Sequence, residues 1–295
     1  MKKKIRFSVQ NLPASNDDVR TQKVLPNKFV QAIGHFVFLQ HIHSQKQKLN
    51  GYEGAAGTKP HPHRGVAILT YIIAGGVEHV DSLGNHVKLN AGGVHWTNAG
   101  RGVIYDEAVS SEFRHTSPDI SVIRFWINLP ASRKTERPGY FPFQSDEIPK
   151  RELSDDAGWI KILLGEYEKA RAKIPCNSKE FLYHIHLKAG KLFSILTHRA
   201  IDYAAFLPTN KAVINDMEFQ AGRLVVFTTY GEIIELYNSS ETVIDIILFG
   251  GEPCNEPIVA EGNFVMNTQH EITQAYNDFY DGKYGQINSN NRNHK

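Results

Sequence analysis

Histidines at strand-like spacing are the residues of this chain best suited to chemistry. Nine of the 14 histidines fall between His35 and His115. The clearest pair is His61-Pro-His63. Because residues i and i+2 of a β-strand project from the same face, this pair can present two imidazole rings to one metal ion. The pair is equally compatible with two hydrogen-bonded histidines at the start of an edge strand, which Pro62 would mark.

A second pair with the same spacing follows further along the chain, where Tyr105-Asp-Glu107 lies on a predicted strand. In a small barrel this strand can lie close to the first, so that two plus two side chains surround one ion. A carboxylate oxygen beside two imidazoles suits iron, manganese, nickel, copper or zinc, and the pattern does not choose among them. Glu107 is therefore a candidate metal ligand.

Other candidates carry a weaker pattern. His95 is a further candidate metal ligand if its side chain points inward, and otherwise a core or surface histidine. The His184–His186 and His41–His43 pairs lack a downstream acid-bearing pair, so they are interpreted as histidines on a strand face. Arg101, in an Ala-Gly-Arg-Gly turn, could orient an anionic substrate or form a salt bridge.

The segments that carry these residues are short, β-branched and separated by glycine-containing turns, which is typical of consecutive hairpins. We predict strands at Val66–Ile73, Val77–Val80, His86–Leu89, Val94–Thr97, Val103–Glu107 and Ile120–Asn128. With the early strand expected at His41–His43, these make seven short strands, and this number and spacing indicate a sandwich, jelly roll or barrel.

Residues 130–158 are rich in proline, glycine and charge and form the candidate linker. Beyond them the strand pattern returns at Ile160–Leu164, Phe181–Leu187, Ile201–Leu207, Arg223–Thr229, Glu232–Leu236 and Val243–Phe249. Apolar residues at helical spacing predict one helix over 270–280, with Asn267 or Thr268 as its N-cap.

Composition limits the classes of partner. The chain has 295 residues, 41% apolar and 22% charged, with a formal net charge of +2. This balance gives no overall reason to expect nucleic acid or an anionic membrane, and it favours a neutral small molecule. Two cysteines, no apolar leader after Met1 and no run of about 18 apolar residues predict a cytoplasmic protein without a membrane span.

Several separate motifs, in order along the chain, together resemble the pirin family. They are His61-Pro-His-Arg-Gly65, Asp81-Ser-Leu-Gly84, the stretch from Trp96 through Ala99-Gly-Arg-Gly102 to Glu107, Asn128-Leu-Pro130, Gly250-Gly-Glu-Pro-Cys-Asn-Glu-Pro257 and Asn263-Phe-Val-Met-Asn-Thr268. The match is dense over 28–142 and 245–285.

The resemblance implies an all-β bicupin: two tandem small β-barrels of the double-stranded β-helix or jelly-roll type, with a short C-terminal helix. It implies an N-terminal cupin barrel over 1–135 with the metal site, and a C-terminal cupin barrel over 136–295. The tail from about residue 250 is expected to pack back on the N-terminal domain. Its glycines and prolines cannot continue the last strand, and the long segment after them needs an apolar surface to pack against.

The resemblance also implies one divalent or ferric metal, iron foremost, with zinc, manganese, nickel or copper as other candidates. Its ligands fall on His61, His63, Tyr105 and Glu107, where Tyr105 replaces a family histidine. A phenol with pKa about 10 must lose a proton to bind metal, which a ferric ion enforces more readily than Zn²⁺ or Fe²⁺. The alternative is a three-ligand site without Tyr105. Ala67 also stands where the family carries an acid.

Two functions follow from the resemblance. One is a metal-dependent oxidoreductase of the quercetin 2,3-dioxygenase type that acts on a flavonol or related polyphenol, with Glu107 as ligand or base. The other is a non-enzymatic regulatory or binding module with a degraded metal site, which acts through a protein partner. The expected partners are a small aromatic molecule or a protein, without direct nucleic acid or membrane contact.

Overall fold

The computed structural model describes residues 1–10, 19–44, 59–110, 119–176 and 178–287, and most of these residues lie in strands. The strands of the first half are β1 (Ile5–Gln10), β2 (Val19–Leu25), β3 (Phe36–Ser44), β4 (His61–His63), β5 (Val66–Ala74), β6 (Gly76–Asp81), β7 (His86–Asn90), β8 (Val94–Asn98), β9 (Val103–Val109), β10 (Ser121–Asn128), β11 (Gly139–Phe143) and β12 (Lys150–Glu152). The all-β prediction is confirmed, since every strand predicted between residues 66 and 128 is present.

The second half continues in the same way. Its strands are β13 (Gly158–Leu164), β14 (Glu166–Tyr167), β15 (Ala170–Arg171), β16 (Phe181–Leu187), β17 (Leu192–Leu196), β18 (Asp202–Phe206), β19 (Ala212–Ile214), β20 (Met217–Phe219), β21 (Arg223–Phe227), β22 (Ile233–Tyr237), β23 (Ile244–Gly251), β24 (Val259–Glu261) and β25 (Phe264–Met266). Within the described ranges one α-helix, α1 (Gln269–Tyr280), and three short 3-10 helices (Ala131–Arg133, Ser145–Glu147 and Ser154–Asp156) complete the fold.

The described residues pack into two compact units. Unit 1 consists of Met1–Leu12, Gln22–Phe36 and Glu147–Cys254, and unit 2 of Pro13–Thr21, Val37–Asp146 and Asn255–Lys295, as far as these ranges are described. β1 belongs to unit 1 because it pairs with β21, where Ile5 lies opposite Phe227. The units therefore interleave along the sequence, whereas the sequence analysis divided the chain once, after residue 135. That boundary stays a prediction of where independently folding domains meet.

Unit 2 is built from two main sheets. A six-stranded sheet has the order β11-β8-β5-β10-β3-β2, and a four-stranded sheet has the order β4-β9-β6-β7. Part of the space between them is filled by an apolar cluster with members from both sheets: Ile72, Val77, Leu89, Val109, Ile120 and Val122. The other side chains on these inward strand faces are mostly polar, and they form the site described below.

Unit 1 repeats the two-sheet plan with a different filling. Its seven-stranded sheet has the order β1-β21-β18-β23-β16-β13-β12, and its four-stranded sheet the order β17-β22-β19-β20. Both sheets contribute to a large core that includes Ile160, Ile185, Ala205, Val225, Ile234 and Ile246. This apolar core contrasts with the polar interior of unit 2.

The predicted linker is not free of regular structure. β11 adds to the edge of β8 in unit 2, with Tyr140 opposite Thr97. β12 adds to β13 in unit 1, with Arg151 opposite Ile160. The sequence pattern missed β11 because Pro138 and Pro142 resemble turn signals, although an edge strand accommodates proline. It missed β12 because three charged residues show no apolar alternation.

The C-terminal segment packs with the strands that carry the His61–His63 pair. Thr268 is the N-cap of α1 and forms a capping box with Glu271, which selects it over Asn267. An ion pair joins Arg64 to Asp278 of α1 at 2.5 Å. Across the residues that the structure describes, no helix is both long enough and apolar enough to cross a membrane.

Gly65 lies where the C-terminal segment packs closely against the start of β5. Its φ is +77°, and an added Cβ would lie 2.0 Å from the carbonyl oxygen of Val265. We expect Gly65→Ala to lower the free energy of unfolding by about 3 kcal/mol or more, because left-handed strain of about 1–2 kcal/mol is joined by a backbone clash. Urea denaturation measures the loss.

Gly84→Ala is the matched control. Gly84 also has a positive φ, of +91°, but nothing lies within 4 Å of an added Cβ. It should lose only the strain contribution of about 1–2 kcal/mol. Equal losses in the two variants would show that the contact with Val265 contributes nothing.

Candidate metal centre

Strand register places the chemistry-bearing residues of unit 2 on one face of the four-stranded sheet. β4 pairs with β9 so that His61 lies opposite Tyr105. β6 pairs with the same strand so that His79 lies opposite Glu107 and Asp81 opposite Tyr105. Because directly opposite residues share a face, these five side chains project together into the interior.

Three of the four side chains predicted as ligands form an aromatic cluster at β4. The rings of His61 and His63 lie 4.9 Å apart, and the Tyr105 ring lies 4.8 Å and 5.1 Å from them. His63 also packs edge-on against Trp126 at 4.9 Å. The ligand atoms of His61, His63 and Glu107 do not converge within 4.8 Å of one another. The assignment of a metal to that set therefore stays a prediction.

Glu107 instead lies with two other histidines. In the described part of the chain, His79, His95 and Glu107 are the group of three whose ligand atoms all lie within 4.8 Å of one another, and all three residues are buried. His95 Nε2 lies 2.7 Å from Glu107 Oε2, within ion-pair distance. Two ligand atoms bound to one ion at about 2.0–2.2 Å stand about 3 Å apart at right angles, so this spacing is also that of neighbouring metal ligands.

Arg124 sets the charge state of this group. Its guanidinium donates to Glu107 Oε1 at 2.5 Å, and both side chains are almost fully buried. Burial raises the pKa of the Glu107 carboxyl, but Arg124 and His95 lower it, and the net pKa lies below its ordinary value. Glu107 is therefore an anion at neutral pH, which suits a metal ligand better than a general base.

Asp81 orients His79. Its carboxylate accepts from His79 Nε2 at 3.1 Å, and also from the backbone N–H groups of Leu83 and Asn85 at 2.9 Å. Burial raises the pKa of Asp81, but the bonds from His79 and Asn85 bring the net pKa below its ordinary value. An ionised carboxylate only accepts, so Nε2 carries the proton and the lone pair of His79 is on Nδ1.

The rings of two tyrosines pack against His79. The Tyr140 ring stacks on it at 4.1 Å and 10°, and the Tyr105 ring lies 5.4 Å away on a nearly parallel plane. Burial, with Glu107 and Asp106 nearby, raises the pKa of Tyr105 to about 12. Burial likewise raises the pKa of Tyr140. Both phenols are neutral at physiological pH.

The interior of unit 2 holds many polar atoms that lack a hydrogen bond. Among the described residues, buried side-chain atoms without such a bond occur in Thr70, His79, His95, Thr97, Tyr105, Trp126 and Tyr140. Native proteins leave few buried polar groups unsatisfied, so this concentration indicates that water, an ion or a ligand is bound there. Two imidazole nitrogens and a carboxylate oxygen among these groups fit a transition metal.

The remaining histidine pairs do not join the group. His184 Nε2 and His186 Nδ1 both lie 2.8 Å from Oδ1 of Asp245, and Trp159 stacks on His186 at 4.7 Å. These residues belong to unit 1, on the sheet face that points away from its core. They form a hydrogen-bonded cluster on one strand face, as expected, but the expected exposure of both histidines is wrong for His184, whose side chain is buried.

His41 and His43 stack on each other at 4.7 Å on β3. His41 is fully buried and its Nε2 lies 2.9 Å from the Ser121 hydroxyl. Burial, with His43 nearby, lowers the pKa of His41 to about 3. Arg101 is exposed, and its backbone N–H donates to Glu136. None of the three belongs to the His79 group.

Sequence reasoning missed His79, Arg124 and Tyr140, and it considered His95 as an inward replacement ligand. His79 points inward because it lies two residues after Val77, a member of the apolar cluster, and therefore shares its strand face in the alternating pattern of β6. That alternation is a signal in the sequence. Arg124 carries a weaker signal, since it is a charged residue within an apolar strand.

Comparison with protein families agrees with this architecture. The Pirin family model matches residues 18–127, and the Pirin C-terminal cupin domain matches residues 182–285. Among curated proteins, Pirin-1 of Arabidopsis thaliana is 30% identical over 240 residues, covering 78% of this chain and 79% of that protein. A pirin-like protein of Caulobacter vibrioides is 28% identical, covering 94% of this chain and 97% of its own.

Solved structures give the same result. A crystal structure titled quercetin 2,3-dioxygenase, from Acinetobacter baumannii, superimposes with a TM-score of 0.87 at 26% identity, covering 98% of this chain and 100% of that one. A bacterial pirin from Escherichia coli in complex with nickel(II) shares the fold at a TM-score of 0.64 and 16% identity, covering 84% of this chain and 99% of its own. The predicted bicupin fold is confirmed, and the chain belongs to the pirin family.

Proposed function

We propose that this pirin-family chain is a metal-dependent oxidoreductase of the quercetin 2,3-dioxygenase type, acting on a flavonol or a related polyphenol. The observation that carries the proposal is the buried group of His79, His95 and Glu107 among polar atoms that lack hydrogen bonds. The similarity to the Acinetobacter baumannii structure with that title supports the reaction class. In a dioxygenation the flavonol supplies the electrons and O₂ is the oxidant.

His79, His95 and Glu107 would hold the metal, with iron foremost and manganese, nickel, copper or zinc as the other candidates. When bound, the metal would supply a Lewis acid that lowers the pKa of a flavonol hydroxyl and so prepares the substrate for reaction with O₂. The Arg124 guanidinium holds the Glu107 carboxylate in place. Asp81 fixes the tautomer of His79, so that both imidazole and carboxylate are prepared for the ion without rearrangement.

His61 is suited to take the hydroxyl proton. Its Nδ1 lies 2.7 Å from the carbonyl oxygen of Lys59, and a carbonyl only accepts, so Nδ1 carries the proton and Nε2 the lone pair. Burial lowers the pKa of His61, so that its ring is neutral at physiological pH. This assigns the base to His61 and the ligand role to Glu107, whereas the sequence left both roles to Glu107.

The alternative function is a regulatory module that acts through a protein partner. In its favour, Arg124 engages the Glu107 carboxylate, and Tyr105 stands where the resemblance implies a ligand histidine.

Three further parts of the proposal rest on the sequence alone. They are a cytoplasmic location, a small aromatic molecule or a protein as partner, and no direct contact with nucleic acid or membrane.

The test is metal content and oxygen consumption of the untagged full chain. We expect about one metal per chain and O₂ uptake when quercetin is added, with each divalent metal supplied in turn. His95→Ala should weaken metal binding by at least about 100-fold and reduce O₂ uptake to background, because one of three ligands is lost.

Two matched histidine variants make the result specific. His184→Ala, in unit 1, should keep both metal and activity. His61→Ala should keep the metal and lose activity if His61 is the base, whereas loss of metal would return the ligand role to the His61–His63 pair. A chain that holds metal but consumes no oxygen with quercetin would favour the regulatory module.

A further inference from the structure

A cavity lies in unit 1, and all the residues that line it belong to that unit. It has a volume of about 720 Å³, which is within the range of about 300–1,000 Å³ typical of small-molecule sites. It opens where β14, the start of β16, β17 and β18 come together. Its lining residues are Gly165, Glu166, Tyr167, Glu168, Arg171, Cys176, Ser178, Lys179, Glu180, Phe181, Tyr183, Ser194, Ile195, Leu196, His198, Ile201 and Tyr203.

Aromatic rings form the apolar part of the wall. Phe181 packs against Tyr183 and against Tyr203, with ring centroids 5.0 Å apart in each pair, and Tyr167 contacts Tyr183 at 5.8 Å. The ammonium of Lys3 lies 5.0 Å from the centroid of the Tyr203 ring. These contacts hold the rings in place before any ligand binds, and flat rigid walls favour a planar ligand.

Hydroxyl groups supply the polar part. Tyr203 Oη accepts from the backbone N–H of His198 at 3.1 Å, which leaves its proton for an acceptor. The Tyr183 hydroxyl donates to the carbonyl oxygen of Glu166, which leaves its lone pairs for a donor. The buried Oγ of Ser178 makes no hydrogen bond to any described residue. The cavity therefore offers both donors and acceptors to a hydroxyl-bearing ligand.

The charges around the cavity nearly cancel. Glu166, Glu168 and Glu180 are opposed by Arg171 and Lys179. A wall with this balance does not attract an anion or a cation strongly, so a ligand that is charged gains little there.

We propose that this cavity of unit 1 binds a small, neutral, planar aromatic molecule that carries a hydroxyl group. The site is separate from the metal centre and is independent of the activity proposed for it. It would take a two- or three-ring phenol, with the rings of Phe181, Tyr183 and Tyr203 against its faces or edges and its hydroxyl bonded to Ser178 or Tyr203.

The experiment is a calorimetric titration of the full chain, stripped of metal with EDTA, with 2-naphthol as probe. We expect one saturable site per chain. Ser194→Trp should weaken binding by at least about tenfold, because Ser194 is an exposed cavity residue and an indole there occupies the opening. Tyr203→Phe, which removes one hydroxyl, should weaken it about three- to tenfold. Naphthalene, without the hydroxyl, should bind less tightly than 2-naphthol.

Leu192→Trp is the matched control. Leu192 is exposed on the same strand and the same face as Ser194 but does not line the cavity, so its variant should bind 2-naphthol as the unaltered chain does. His95→Ala, at the proposed metal centre, should also bind normally, which separates this proposal from the oxidoreductase. No saturable binding, full affinity in Ser194→Trp, loss of binding in His95→Ala, or tighter binding of 2-naphthoate than of 2-naphthol would each overturn the proposal.

Discussion

Glu107→Gln is expected to abolish metal binding and to lower the free energy of unfolding of the metal-free chain by about 3–5 kcal/mol. The second effect arises because Arg124 is left as a buried cation without its carboxylate, and breaking a buried ion pair from one side costs about that much. Arg124 and Glu107 are 6% and 3% exposed, so solvent cannot replace the lost partner. Urea denaturation in EDTA and metal analysis of the same preparation measure both effects.

The pH dependence of this difference has a definite sign. The pKa of Glu107 is lower in the folded chain than in the unfolded one, so its stabilising contribution is fully present above the unfolded value of about 4.3. The contribution decreases as the pH falls from there towards the folded pKa. The gap in stability between the unaltered chain and Glu107→Gln should therefore be constant between pH 6 and 8 and should narrow below about pH 4.

Glu232→Gln is the matched control for charge removal. Glu232 pairs with Arg199 at 3.5 Å, but both side chains are more than half exposed. Surface pairs of this kind contribute about 0–1 kcal/mol. A loss below about 1 kcal/mol in Glu107→Gln, with metal retained, would contradict both the buried ion pair and the ligand role.

Local pattern predicted the strands but not which residues they bring together. Alternation and glycine turns gave β5 to β10 within a few residues, because strand-forming segments and turns are specified locally. The predicted succession of hairpins was wrong: among these consecutive strands only β6 and β7 pair with each other, whereas β5 pairs with β8 and β10. The contact between His79 and Glu107 depends on the register of β6 against β9. That register is set by packing between distant segments, and a single sequence does not encode it in any short window.

For the predicted ligand set, too, local sequence specifies only part of the contacts. The i, i+2 spacing correctly places His61, His63 and Tyr105 in one cluster, since β4 and β9 pair directly. It could not show that the Glu107 carboxylate is held by Arg124, which lies in the other sheet. The carboxylate that the motif assigns to His61 and His63 is thereby drawn towards His95, and only three-dimensional packing reveals this.

Tyr105→His is expected to raise the affinity for Zn²⁺ or Ni²⁺ at pH 7 by at least about tenfold, and to raise any flavonol oxygenation. The pKa of Tyr105 is about 12, so forming the phenolate at pH 7 costs about 7 kcal/mol at 1.36 kcal/mol per unit. A neutral imidazole offers its lone pair without that cost. It would stand opposite His61, whose ring lies 4.8 Å from the present phenol.

The double variant Tyr105→His with His95→Ala shows which side chains are responsible for the increased metal affinity. In the unaltered chain, metal binding should depend on His95. After Tyr105→His, binding should survive His95→Ala, because the new imidazole completes a set with His61 and His63. Metal analysis and oxygen uptake with quercetin across the four chains decide the question. If the unaltered chain already holds one metal tightly and Tyr105→His loses it, then Tyr105 is itself a phenolate ligand, and the metal lies at the His61–His63 pair.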